Sequence, residues 1–243
     1  MIEKIEGIVI DIIKHSERYN VVTLYTRSRG RVAFLSPVPK SKASRLKNAR
    51  ILPLACIRAD VNFKGHRELQ LLPSVAPLNV WHSLYFSPVK SSLVFFLSEF
   101  LNNLLRYSPP DASLWDFLRA SLAFLDEADD SKIANFHIAF LIRLLPFVGI
   151  NPPVHNFRPG AVFDLEKADF LENPVFNRKN RLSPSDSAFL PLLDRINFRN
   201  QHLFRIDGSS RARILNLLLN YYSLHLPMPP TLKTLDILHT IFS

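Results

Sequence analysis

Residues 5–36, IEGIVIDIIKHSERYNVVTLYTRSRGRVAFLS, decide the fold. Three runs rich in β-branched and aromatic residues, 5–13, 21–26 and 31–36, are separated by HSERYN and SRG, which is how strands joined by polar turns read. Ile8, Ile10 and Ile12 recur at a period of two, and Leu24 alternates with Thr23 and Tyr25, so each strand is expected to bury one side. Working outward, two further runs, 51–62 and 68–72, follow a long Pro/Lys/Ser stretch at 37–50 and are themselves split by KGH. Five short strands with a long gap between the third and fourth predict a small antiparallel barrel of the OB type.

Beyond Pro73 and Pro77 the apolar period changes to 3.6. Ser87 and Pro88 supply a cap and a first-turn proline for a helix whose stripe is Val89, Leu93, Phe96, Leu97, Phe100, Leu101, Leu104 and Leu105. Asp111 is expected to cap a second helix carrying Leu114, Trp115, Leu118, Leu122 and Leu125, and Ser131 a third running through Phe136 and Phe140 to Gly149. A last long helix is expected to begin at Ser209 or Ser210 and to stop before Pro227. Residues 151–184 show little periodicity and read as an irregular insert. The predicted class is therefore α+β: a five-stranded OB-fold β-barrel domain over 1–78, then an all-α helical domain over 79–243 interrupted by that insert.

Charge separates the two parts. Residues 1–80 hold 14 Lys/Arg against 6 Asp/Glu, residues 81–243 hold 16 against 15, and the whole chain carries a formal +9. A basic module of folded character favours polyanionic partners. One cysteine, Cys56, excludes disulfide scaffolds and thiolate zinc ribbons together and suits a reducing, cytoplasmic setting. The N-terminus is unlike a secretory signal, and no charge-poor stretch reaches the roughly 18 residues of a membrane span, so no membrane partner is expected.

The strongest local signal runs over residues 27–50: Arg27, Arg29, Arg31, Lys40, Lys42, Arg45, Lys47 and Arg50, with no acid among them. Such a tract, with Ser41 and Ser44 as hydroxyl donors, suits phosphate oxygens. The plainer reading is a solvated loop. A second signal lies in the two loops that OB barrels use for ligands, Lys14, His15, Arg18 and Tyr19 in one and Phe63, Lys64, His66 and Arg67 in the other. Cations beside aromatics are the ingredients of a single-strand platform, although Phe63 adjoins a strand and suits burial better. The run Asp126, Glu127, Asp129, Asp130 reads as a solvated turn, and Arg178, Lys179 and Arg181 as a small basic patch. Phosphate-cradling glycine motifs and the G-x-S-x-G elbow are missing from the sequence, so no catalytic residues, metal or cofactor are expected.

The order of parts resembles the bacterial DNA repair protein family RecO. The residues that carry the resemblance are Gly7 in strand one, the polar loop 15–20, the strand 21–25, Thr26 with Gly30 and Arg31 as a T-x-x-x-G-R turn, the basic tract from Lys40 to Arg45, FHIAFLIRLLPFVGINPPV, and a terminal pattern through Tyr221, Tyr222, His225, Leu226, Leu232, Lys233 and Leu235. The resemblance implies a mediator of DNA repair and homologous recombination in the bacterial cytoplasm, associated with the nucleoid. Such a protein binds single- and double-stranded DNA, anneals strands coated with single-strand-binding protein, and with RecR assists RecA loading. The near-neutral charge and surplus of aromatics in the helical domain argue for an apolar groove that would receive the acidic, apolar-ended tail of the single-strand-binding protein, with Arg143, Arg211 and Arg213, which lie on or beside apolar helices, as the basic candidates at its rim. From the residues alone, an OB-fold RNA-binding accessory protein of translation or RNA processing stays open as an alternative.

One departure matters. Many family members carry four zinc-binding cysteines in the insert, whereas residues 151–184 have none, so Phe157, Val162, Phe163, Leu165, Phe170 and Leu171 are expected to replace the metal with an apolar cluster. Elemental analysis should accordingly find less than about 0.2 zinc per chain, and a chelator should leave the melting temperature unchanged. Zinc near one equivalent would contradict this reading.

Overall fold

In the computed structural model, residues 2–39, 50–65, 69–72, 74–172, 180–229 and 232–242 are described. Strands β1 (Ile2–Lys14), β2 (Tyr19–Thr26) and β3 (Gly30–Pro37) form an antiparallel meander. β4 (Cys56–Asn62) returns antiparallel beside β1, β5 (Gln70–Leu71) pairs parallel with β3, and β6 (Ala76–Pro77) adds to β4. The curled sheet, in the order β5-β3-β2-β1-β4-β6, wraps a core of Ile5, Val9, Val22, Leu24, Phe34, Ile57, Val61 and Leu72. An OB-type half-barrel followed by helices is the expected architecture, with the fifth strand shorter than its apolar run.

The expected alternation in β1 fails at one point, for a structural reason. The register slips between Val9 and Asp11, so Ile10 is a bulge, and Ile5, Val9 and Ile12 face the core instead of Ile8, Ile10 and Ile12. Ile8 and Ile10 are nevertheless fully buried, as are Thr23 and Tyr25. Their face is covered by helix α1 (Pro88–Leu104), whose Ser98 hydroxyl donates to the Ile10 carbonyl at 2.9 Å. β1 therefore buries both sides.

Ser87 caps α1 by accepting from Lys90 N, and Asp111 caps α2 (Ala112–Glu127) by accepting from Ser113 N and Leu114 N, both as expected. Asp126 departs from its reading as a solvated turn. Its buried carboxylate accepts from the backbone amides of His82, Ser83 and Leu84 at 2.7–3.0 Å, which holds its pKa down against the effect of burial. Beside it the buried Lys90 ammonium donates to Ser83 Oγ and to the carbonyls of Asp126 and Ala128. Glu127, Asp129 and Asp130 are the solvated part of that run.

Contacts divide the chain into a barrel unit, Met1–Ala128 with Leu232–Ile241, and a helical unit, Asp129–Thr231 with Phe242–Ser243. Thus α1 and α2 lie within the barrel unit even though the strand-to-helix change falls near residue 80. So does most of α6 (Leu235–Phe242), whose first turn is held by Glu99 on α1 through Lys233 N and Thr234 N, both at 2.9 Å.

The helical unit is built on α3 (Phe136–Leu144), α4 (Pro184–Leu193) and α5 (Gly208–His225). Asp129, not Ser131, caps the short 3-10 turn before α3, and Asp207, not Ser209 or Ser210, caps α5; in each case the carboxylate is the stronger acceptor and the serine hydroxyls donate to it. The insert is more regular than its sequence reads. β7 (Val162–Asp164) and β8 (Asp169–Leu171) form a hairpin too short to show a period, closed by an Arg181–Asp164 ion pair at 2.9 Å. Phe170 packs edge-on against Phe157 and Phe163, and Phe163 meets Tyr221, giving the apolar cluster expected in the cysteine-free insert. Among the described residues no helix is long and apolar enough to cross a membrane.

Gly30 has φ +63°, and a Cβ there would lie 2.8 Å from backbone atoms of Ser108, Pro109 and Pro110. Gly30→Ala should therefore cost about 2 kcal/mol or more in stability, whereas Gly65→Ala, with open space around it, should stay within about 0.5 kcal/mol by chemical denaturation.

Candidate nucleic-acid interface

The basic candidates separate to opposite ends of β3. At one end, the β1–β2 loop is tightened by Ser16, whose hydroxyl accepts from Arg18 N and Tyr19 N while its own amide donates to the Tyr19 carbonyl. Lys14 and Arg18 are thereby turned to solvent, with Tyr19 half-buried between strand and loop. Tyr19 pairs with Pro37, and Val38 N donates to the Arg18 carbonyl at 2.8 Å, so the chain leaving β3 runs directly beside this loop. Lys40, Lys42, Arg45 and Lys47 lie outside the described residues. The chain resumes at an exposed Arg50 and reaches β1 four residues later, where Leu54 N donates to the Val9 carbonyl and Val9 N to the Ala55 carbonyl.

At the other end the arginines have internal duties. The β2–β3 turn is closed by Thr26, whose hydroxyl donates to the Gly30 carbonyl and accepts from Arg29 N. Arg27 pairs with Asp116 on α2 at 3.2 Å and lies 5.6 Å from the centre of the Trp115 ring. Arg29 makes a forked pair with Glu3, its Nε 3.0 Å from Oε2, which lowers the Glu3 pKa chiefly by hydrogen bonding. The same guanidinium covers the Phe63 ring at 4.1 Å, and the ring's other contact is edge-on to Phe34, so Phe63 is packing. Arg31 donates to the Asn102 carbonyl at 2.9 Å, near the C-terminal end of α1 where a cation is favoured. Lys64 is exposed on a loop fastened by a reciprocal pair of bonds with Gln70. His66 and Arg67, like Arg178 and Lys179, lie outside the described residues. Cys56 is buried, and its thiol is pushed up to about 12.

The helical unit holds an apolar groove of about 620 Å³, lined by Leu145, Phe163, Leu190, Leu193, Ile206, Leu217 and Tyr221. Phe189, Leu192 and Leu203 are exposed large apolar residues on its wall, and Arg205, Arg213, Asp186 and Asp207 supply its charges. Of the three arginines singled out in the sequence, only Arg213 lines it, paired with Asp186 at 2.6 Å. Arg143 is held by the carbonyl and carboxylate of Asp194. Arg211 spends its three nitrogens on Asn135 Oδ1 and the carbonyls of Ile206 and Phe242, and burial lowers its pKa. The aromatics and near-neutral charge of the helical domain point to such a groove, but its lining was not legible in the sequence because the wall helix, α4, is short and carries Pro191 inside it.

Two family profiles match the chain: "Recombination protein O N terminal" over residues 1–81 and "Recombination protein O C terminal" over residues 86–234. Curated relatives named DNA repair protein RecO include those of Phocaeicola vulgatus, 35% identical with all of both chains covered, and Bacteroides fragilis, 34% identical over the same full extent. A third, from Porphyromonas gingivalis, is 33% identical over 97% of each chain.

Arg31 and Arg18 should therefore behave differently. Arg31→Met removes a charged donor from a partly buried carbonyl and should lower stability by about 1–3 kcal/mol in a denaturant melt, leaving the salt dependence of DNA binding unchanged. Arg18→Ala should leave stability within about 0.5 kcal/mol and make that salt dependence shallower.

Proposed function

Because the chain belongs to the Recombination protein O family, whose curated members are named DNA repair proteins, we propose that it acts as a recombination mediator that binds DNA through one end of its barrel. The observation that carries this reading is the sorting of cations. Arg27 and Arg29 are exposed but paired with Asp116 and Glu3, and Arg31 serves a helix end, whereas Lys14, Arg18 and Arg50 are exposed with no ion pair among the described residues, at the root of a tract that contains four more cations and no acid. Phosphates neutralise such a cluster better than any group on the chain itself. Single- and double-stranded DNA share this contact, since it reads backbone charge and not bases.

The apolar groove of the helical unit suits a short peptide that ends in apolar side chains and carries acids, the chemistry of the single-strand-binding protein's tail. Arg205, exposed on its wall, is placed to meet the acids, while Arg213 is shared with Asp186. Holding that tail while the barrel holds DNA would bring the protein to coated strands, where it anneals complements and, with RecR, assists RecA loading in the bacterial cytoplasm.

An annealing assay on complementary strands pre-coated with single-strand-binding protein tests the reading, because a simple DNA binder is blocked by the coat. The wild type should anneal coated strands. Changing Lys40, Lys42, Arg45 and Lys47 together to alanine should abolish most of that activity and reduce the duplex salt slope by about 3 to 4, at roughly 0.9 per lost phosphate contact. A folded quadruple variant with wild-type annealing and slope would place the DNA path elsewhere, and preference for structured RNA over single-stranded DNA at fixed salt would replace the function itself.

A further inference from the structure

The loop between α1 and α2 presents an aromatic ring that the fold does not use. Tyr107 is 77% exposed, yet the backbone around it is fixed from several sides. The Tyr25 hydroxyl donates to the Pro109 carbonyl at 3.3 Å, Ser108 N donates to the Leu105 carbonyl at 3.2 Å, and Gly30 abuts the Ser108–Pro110 backbone so closely that no Cβ fits. Two consecutive prolines and the Asp111 cap of α2 restrict the segment further. A large ring on a rigid mount loses little conformational freedom on binding, which is how stacking residues gain affinity.

The surroundings of the ring are cationic. Arg106, next in the chain, is exposed and makes no ion pair among the described residues. Arg31 is near enough to sense both groups: burial lowers its pKa, Arg106 adds to that effect, and Asp11 and Tyr107 oppose it. Of the nearby acids, Asp11 accepts from the Asn102 side chain and Asp111 is occupied with its helix cap. Phe86 and Phe95, the other strongly exposed aromatics of the barrel unit, have no basic residue within two positions. An exposed tyrosine flanked by an uncommitted arginine matches the π-face and phosphate of one nucleotide.

We propose that Tyr107 stacks on a base of single-stranded DNA while Arg106 meets the adjoining phosphate, a second contact at the Gly30 end of β3, the end opposite Pro37. The proposal rests on the reading of the chain as a DNA binder. Duplex DNA keeps its bases paired and cannot use the ring, so this contact favours single strands over duplex.

Binding of the full chain to a labelled 20-nucleotide oligo-dT and to a 20-base-pair duplex, followed by fluorescence anisotropy at fixed salt, tests it. Tyr107→Ala should weaken oligo-dT binding about 5- to 100-fold and leave duplex binding within about twofold, while Tyr107→Phe, which keeps the ring, should bind oligo-dT like the wild type. Tyr107→Trp should show emission quenched by oligo-dT beyond any change in the wild type's own tryptophans. Unchanged oligo-dT affinity for Tyr107→Ala, an equal loss on duplex, or an unquenched tryptophan would each overturn the stacking role. A wild type that binds neither probe would overturn the DNA-binding reading itself.

Discussion

The contact between the β2–β3 turn and the α1–α2 junction is the constraint on which the barrel unit depends. Backbone meets backbone at Gly30 with no room for a side chain, and Tyr25, Arg27 and Arg31 fasten the same seam to Pro109, Asp116 and Asn102. The ties at Tyr25 and Arg31 are each worth a kcal/mol or so and the half-exposed Arg27–Asp116 pair less, but together they press α1 against the outer face of β1. That is why Ile8, Ile10, Thr23 and Tyr25 are dry and why this face of the sheet is closed.

The same seam explains a division of labour between cations. A planar guanidinium with five donors can serve an acid, a ring and a carbonyl in fixed geometry, and Arg29 does so with Glu3 and Phe63. Lysine is a compact, strongly hydrated charge on a flexible stem, suited to mobile contact with phosphate, and three of the four cations within residues 40–47 are lysines. A run that looks uniform when written as letters thus divides into arginines at the Gly30 end of β3 that are tied to the fold and the lysine-rich stretch proposed above as the phosphate contact.

Much of this was legible in the sequence. The meander, the Ser87 and Asp111 caps and the apolar cluster around Phe163 and Phe170 follow from local patterns whose periods or side chains announce them. The bulge at Ile10 was not, because a one-residue slip leaves composition unchanged and only the pairing partner reveals it. The hairpin Val162–Leu171 hid for a related reason: three-residue strands hold no full period. At the candidate site, exposure of Lys14 and Arg18 could be guessed from their loop, but the commitments of Arg27 and Arg31 could not, since their partners lie 89 and 71 positions away.

The chain leaves the barrel unit at Ala128 and re-enters it at Leu232, and Glu99 receives Thr234 across a separation of 135 residues. Closing so long a loop is entropically the dearest step in assembling that unit, and the cost falls as the intervening chain shortens by folding on itself. Any folding within residues 129–231 shortens the effective loop, so the stability of that insert and the docking of the C-terminal segment on Glu99 are coupled through chain entropy.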